Sequence, residues 1–180
     1  MKVKVKVPAT SANLGPGFDV AGLALTLYNT FTFELADQGL NITGCPEQFC
    51  NEENMTYQAF KQAAEICGLE YQGVNIECSG DVPYTRGLGS SSTCIVAGIV
   101  GAFAFKDKVE DRQEILELAT AIEGHPDNVA PAIFGGLTVS VMEEDNVLTL
   151  NIPVKHDYRF VTLIPPFTLS LIHISEPTRP

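Results

Sequence analysis

Residues 83–105 read PYTRGLGSSSTCIVAGIVGAFAF, a glycine turn, a serine run, and then an uncharged stretch from Cys94 to Phe105. That stretch is small and apolar throughout. It predicts a helix buried on all sides, so the remaining elements have to wrap it. Several of them are legible. Val3, Val5 and Val7 alternate with Lys2, Lys4 and Lys6, which predicts a half-buried strand, ended by Pro8. PATSANLGPGFD is dense in turn formers and predicts a loop, and VAGLALTLYNTFTFEL predicts one or two strands. EENMTYQAFKQAAEIC places Met55, Ala59, Phe60, Ala63, Ile66 and Cys67 at helical spacing, with Gly68 as a stop. GVNIEC is a short strand, and DRQEILELATAIEG is an amphipathic helix with Ile115, Leu118, Ala119 and Ile122 on its apolar stripe. GLTVSVM, VLTLNI and YRFVTLIP are strands, with a turn at Glu144-Asp145-Asn146 between the first two. There is no internal repeat and no regular βαβ rhythm, so the fold class is α+β.

The glycine–serine stretch has the character of a phosphate cradle. The common nucleotide loop carries a lysine before its Ser/Thr, and here none follows Gly87 and Gly89. Glycines let the backbone approach a phosphate. Serines are good caps at a helix start, and the free N–H groups of a first turn attract an anion. By itself the stretch fits equally well a glycine turn with a serine cap and no ligand.

Charge and cysteine usage exclude several classes. Lys+Arg is 11 against Asp+Glu 22, a net charge of −11. Nucleic acid and anionic membrane surfaces call for a basic face, so neither is an expected partner. Hydrophobic residues at 45% are enough for a core. The five cysteines are odd in number and form no C-x-x-C pair, which points to reduced cytoplasmic thiols, not a disulfide framework or a zinc site. The alternating N-terminus is not a signal peptide, and no apolar run is long enough to span a bilayer.

Two further stretches, PATSANLGPGFD with Asn13 and Asp19, and EGHPDNVAPAIFGG with His125, Asp127 and Asn128, flank the glycine loop. Taken in this order, the three resemble the GHMP kinases, small-molecule kinases named for galactokinase, homoserine kinase, mevalonate kinase and phosphomevalonate kinase. Within that superfamily the first and third motifs are most similar to those of the homoserine kinases. The resemblance runs from about Val5 to about Ser170. It implies the family's N-terminal fold, of the ribosomal protein S5 domain 2-like type, over residues 1–155. It also implies the first strand of a ferredoxin-like second domain over residues 156–168.

The resemblance also implies a site, with ATP as co-substrate, Mg²⁺ as cofactor and L-homoserine as the phosphoryl acceptor. The ATP-binding loop would comprise Pro83, Tyr84, Thr85, Arg86, Gly87, Leu88, Gly89, Ser90, Ser91, Ser92 and Thr93, without a phosphate-loop lysine. Asn54 matches a position that contacts adenine. Ser91 and Glu123 would ligate Mg²⁺, with Glu117 as the alternative to Glu123. Asn13, Asp19, His125 and Asp127 would bind the substrate, and Asn13 and Asp127 are the catalytic candidates. Another GHMP kinase, acting on mevalonate, shikimate or a sugar, or an impaired nucleotide-binding fragment, are the alternative readings. In isolation each residue also fits a plainer role: His125 a turn, Asp127 and Asn128 a helix cap, Asp19 a turn, Glu123 a solvated helix position. The full-length relatives are expected to be cytoplasmic and are compatible with a homodimer.

Residues 169–180 depart from the family pattern and read as a foreign, artefactual tail. The expected missing half would supply an arginine that neutralises the transferring phosphoryl group, and it would cover apolar surface. The 180-residue chain alone is therefore expected to be a weak catalyst; turnover equal to that of an intact relative would contradict this.

Overall fold

The computed structural model describes residues 1–143, 146–154 and 159–162. Strand β1 spans Lys2–Leu14 and β2 spans Gly17–Ala36; they form one long antiparallel hairpin closed at Gly15-Pro16. β3 (Gly39–Thr43), helix α1 (Met55–Cys67) and β4 (Gly73–Gly80) follow, with β3 and β4 parallel. Then come α2 (Ser90–Ala104), α3 (Arg112–Glu123), α4 (Pro126–Phe134), β5 (Leu137–Glu143) and β6 (Asn146–Ile152). The sheet order is β3-β4-β2-β5-β6, with β1 paired to β2. β2 is long enough to hold β4 along its C-terminal half and β5 near Leu23. The α+β expectation holds.

The alternation in β1 sorts its two faces. Val3, Val5 and Val7 are buried, while Lys2, Lys4 and Lys6 stay in solvent, Lys2 paired to Glu34 and Lys6 over the Tyr28 ring. On the buried face, Phe31, Phe33, Val74 and Ile76 join the valines beneath the helices. α2 lies at the centre, packed against α1, α3, α4 and β1. Its glycines permit that closeness: a Cβ on Gly98 would meet the Thr56 carbonyl at 2.3 Å, and one on Gly101 would meet the Phe33 ring at 2.7 Å.

Three local expectations are corrected. β1 does not end at Pro8 but continues to Leu14, and PATSANLGPGFD is therefore a hairpin and not a loop. Pro8 is tolerated because among the described residues β1 has β2 as its one strand partner, so the missing N–H deprives no second strand there, and the register shifts just after it. Met55 and Ile66 are exposed, and the buried stripe of α1 is instead Ala59, Phe60, Ala63, Ala64 and Cys67. Phe60 fills the centre of that stripe, stacked on Phe33 and edge-on to Tyr71 and Phe105. Residues 159–162, within the expected strand YRFVTLIP, carry no strand; the rest of that strand except Arg159–Thr162, and the turn residues Glu144 and Asp145, lie outside the described residues. The stop at Gly68 falls where expected, in the left-handed conformation, and Gly124 ends α3 in the same way.

α4 reaches β2 at one position where nothing but hydrogen fits. A Cβ on Gly22 would lie 1.7 Å from the Asp127 carbonyl oxygen and 2.8 Å from Pro131 Cγ. Gly22→Ala is expected to lower stability by about 1–3 kcal/mol through overpacking, read as a lower urea midpoint at unchanged slope. An unchanged midpoint would contradict this packing of α4 on the sheet.

Candidate active site

Three corners of the fold converge on one cleft. The first is the glycine loop and the start of α2. Gly87 and Gly89 both have positive φ, +68° and +64°. The expectation that a serine caps α2 is not met: Gly89 is the N-cap and no side chain caps the helix. The N–H groups of the first turn are thus left without a side-chain acceptor, the condition that favours a bound anion. Leu88 points the other way, buried with Ala9 and Val82. Ser92 and Thr93 are also buried, and the Thr93 hydroxyl is committed to the Ser90 carbonyl while accepting from Asn29.

The second corner is the end of the β1–β2 hairpin. Asn13 and Asp19 both sit at positive φ, +58° and +55°, where the register slips between Ala12 and Leu14. A bulge re-aims side chains, and Asn and Asp tolerate this conformation better than most residues. The Asp19 N–H donates to Asn13 Oδ1 at 3.0 Å, which leaves the amide nitrogen of Asn13 as its free end.

The third corner runs from the end of α3 to the start of α4. Glu123 Oε1 accepts from Ser91 Oγ at 2.8 Å and from Ser92 Oγ at 3.1 Å. A carboxylate in the last turn of a helix faces the negative end of the dipole, and no basic residue shares that turn. Its position is electrostatically poor unless hydroxyls or a cation serve it. Glu117 lies on the other side of α3, where it accepts from Gln113, so the structure pairs Ser91 with Glu123 and not with Glu117. Beyond Gly124, the His125 Nδ1 and Asp127 Oδ1 are in close hydrogen-bond contact, and Asn128 Nδ2 donates to the same oxygen at 3.4 Å. Asp127 is buried to 1% exposure and its Oδ2 has no partner among the described residues. Pro126 at the first helical position and Asp127 in the first turn suit the start of α4. Ligating atoms of Asp19, His125 and Asp127 all lie within 4.8 Å of one another, so the hairpin and α4 meet at an anionic corner.

Thr10, absent from the sequence reading, ties these corners together. It is fully buried, its N–H donates to the Leu88 carbonyl at 3.1 Å, and its hydroxyl donates to Asn128 Oδ1 at 2.8 Å. A Cβ on Gly89 would fall 2.0 Å from that hydroxyl. The clue in the sequence was the position of Thr10 within PATSAN, but a threonine in an extended stretch gives no sign that it faces a loop far along the chain.

The cleft between the corners has a volume of about 870 Å³. Asn13, Asn54, Tyr84, Arg86, Ser91, Glu123 and His125 are among the residues that line it, while Asp19 and Asp127 lie outside its lining. Asn54 is also the N-cap of α1: Oδ1 accepts from Tyr57 and Nδ2 donates to the Phe49 carbonyl, so its amide is already engaged at both ends. The sequence reading missed this cap and the Phe49–Tyr84 aromatic contact beside it, with ring centroids 6.0 Å apart. Burial, followed by the charge of Cys94, pushes the Tyr84 hydroxyl up to about 12. Burial also raises the Cys94 thiol, and nearby Glu123 adds to that effect.

No helix of the described residues is long and apolar enough to cross a membrane. Residues 54–136 match the family described as GHMP kinases N terminal domain. The chain is 50% identical over 169 residues to the homoserine kinase of Clostridium beijerinckii, a match covering 93% of this chain and 57% of that protein. It superposes on the crystal structure of homoserine kinase from Cytophaga hutchinsonii with a TM-score of 0.71 at 30% identity, over 86% of this chain and 52% of the other. The mevalonate kinase of Methanococcus jannaschii, at 17% identity and a TM-score of 0.66 over 86% of this chain and 56% of that one, shares the fold. The chain spans a little over half the length of the relatives it matches. The match runs from the N-cap of α1 through the glycine loop and the His125–Asn128 turn, and the chain carries a GHMP kinase N-terminal domain.

Proposed function

We propose that the protein carrying this domain is a homoserine kinase, moving the γ-phosphoryl group of ATP to the side-chain hydroxyl of L-homoserine. The observation that carries the proposal is the pairing of Ser91 and Ser92 with Glu123 at the foot of an uncapped, glycine-led helix start. The chemistry of this donor set fits Mg²⁺, a hard cation that takes carboxylate and hydroxyl oxygens. Ser91 and Glu123 would hold it, and it would neutralise phosphate charge. The backbone of Gly87 to Ser91 would cradle the phosphates in place of a lysine, with Arg86 beside them. The adenine would lie toward Asn54 and Tyr84.

The acceptor is identified by charge. Asp19 and Asp127 present carboxylates at one corner, which suits the ammonium of an amino acid and repels the carboxylate of mevalonate. In this reading Asp19 holds the ammonium, and Asp127 with His125 orients the hydroxyl end. The free amide nitrogen of Asn13 donates to the reacting oxygens. The hydroxyl oxygen bonds to the γ-phosphorus as the bridging bond breaks, and ADP leaves. A loose transition state needs little help with the hydroxyl proton, so positioning and charge stabilisation carry the rate. Threonine biosynthesis in the cytoplasm is the setting this reaction implies.

The test is ADP release with ATP, Mg²⁺ and either L-homoserine, mevalonate or 2-aminobutyrate, the homoserine analogue without its hydroxyl, in the protein extended to its relatives' length. Homoserine alone should support turnover. Asp19→Ala should raise KM for homoserine by about 10-fold or more, the loss of one charge-assisted bond, with the KM for ATP unchanged. Turnover on mevalonate, or an unmoved homoserine KM in Asp19→Ala, would overturn the substrate assignment.

A further inference from the structure

A second chemical feature borders the cleft. Cys45 and Cys50 face each other with sulfur atoms 3.5 Å apart, and the Cys50 thiol also lies against the Cys45 and Pro46 carbonyls at 3.7 Å. Cys50 is exposed and Cys45 is half-buried in the cleft wall. Between them runs a short 3-10 turn, Glu47–Phe49, with no buried residue. That turn has two attachments: the Phe49 carbonyl accepts from Asn54 Nδ2 at 2.8 Å, and the Phe49 ring rests on Tyr84 of the glycine loop. One small exposed turn therefore touches two lining residues of the cleft, Asn54 and Tyr84.

We propose that Cys45 and Cys50 are a reversible disulfide site, closed by a low-molecular-weight disulfide such as glutathione disulfide, and that closing it loosens the grip of the cleft on its nucleotide. The nucleotide half of the proposal rests on the kinase reading above; the disulfide half does not.

The exchange balances as follows. The exposed Cys50 thiolate attacks one sulfur of glutathione disulfide and expels one glutathione thiolate. The Cys45 thiolate then attacks the Cys50 sulfur of the mixed disulfide and expels the second. The two thiols lose two electrons and two protons, and one glutathione disulfide becomes two glutathiones. Burial is the largest cause that raises the Cys45 thiol, with Cys94 adding to it and a hydrogen bond with Cys78 opposing it, so the second step should quicken as pH rises. Bonding requires the sulfurs to close from 3.5 Å to about 2 Å. Rotation of the two side chains and contraction of the turn together supply that closure, and any contraction pulls Phe49 against its two attachments.

The test begins with the full chain in glutathione buffers of graded poise, with the Cys45–Cys50 link scored by peptide mapping. ATP affinity is then measured on the reduced and oxidised forms with Mg²⁺ present. The expected result is a link between these two cysteines, reversed by dithiothreitol, and an ATP Kd about tenfold weaker when closed, within the usual range of coupling between sites. Cys50→Ser, an exposed change away from the catalytic residues, should bind ATP like the reduced protein and ignore the buffer. By reciprocity, saturating ATP should raise the reduction midpoint of the pair by the same factor, a shift of about 30 mV favouring the dithiol. No link across the range, or a link with unchanged ATP affinity, would overturn the proposal. If the reduced protein binds no ATP, it is the kinase reading that fails; amide exchange over residues 46–57, expected to change on oxidation and to stay fixed in Cys50→Ser, then decides the disulfide half.

Discussion

Thr10 holds together stretches of chain that the sequence keeps far apart. Its N–H fixes the carbonyl of Leu88, its hydroxyl fixes the side chain of Asn128, and its bulk fills the place where any residue but glycine at position 89 would need its Cβ. All of this occurs at full burial, where an unmet polar group costs about 1–3 kcal/mol. Among the described residues β1 pairs with β2 alone, and that open edge makes it available. A strand with partners on both sides would have spent the Thr10 N–H in the sheet, whereas here the edge receives the glycine loop. The relative positions of loop, hairpin and α4 start, and so the shape of the cleft, follow from that one buried threonine.

The charges in the site run against local preference, and this is where function is legible in the physics. Glu123 sits at the wrong end of α3 for a carboxylate and spends the hydroxyls of Ser91 and Ser92 on itself. Asn13 and Asp19 adopt positive φ in a bulged hairpin. Asp127 is buried with one oxygen unpartnered among the described residues. Non-glycine residues in such conformations cost of order 1–3 kcal/mol each, and a fold selected for stability alone would remove them. A cation at Glu123 and an ammonium at Asp19 would satisfy these two carboxylates together.

Much of this was open to sequence reading, and the failures have physical causes. The buried α2 was legible because an uncharged run of small residues has few alternatives. The β1 alternation was legible because period two sorts valine from lysine. The continuation of β1 past Pro8 was not, since turn-forming residues were drawn into pairing by a long partner strand, a tertiary effect that overrides local preference. Met55 and Ile66 fit a helical stripe by spacing, yet lie at its margins in the fold. The choice between Glu123 and Glu117 required knowing which side of α3 faces α2. The role of Thr10 was not legible because its partners are set by the fold, whereas the Asn54 cap was legible, as an asparagine directly before a helical run, and was missed.

A nucleotide site in this cleft depends on Glu123 as its cation end. The direct measurement is calorimetric titration of ATP into this chain with Mg²⁺ and with EDTA, in the wild type and in Glu123→Gln. Mg²⁺-dependent binding is expected in the wild type, with loss of most of that dependence in Glu123→Gln, which keeps a hydrogen-bond acceptor for Ser91 and Ser92 but not the charge. Equal Mg²⁺ dependence in both proteins would contradict this, and would leave Glu123 a carboxylate that serves only to tie α3 to α2.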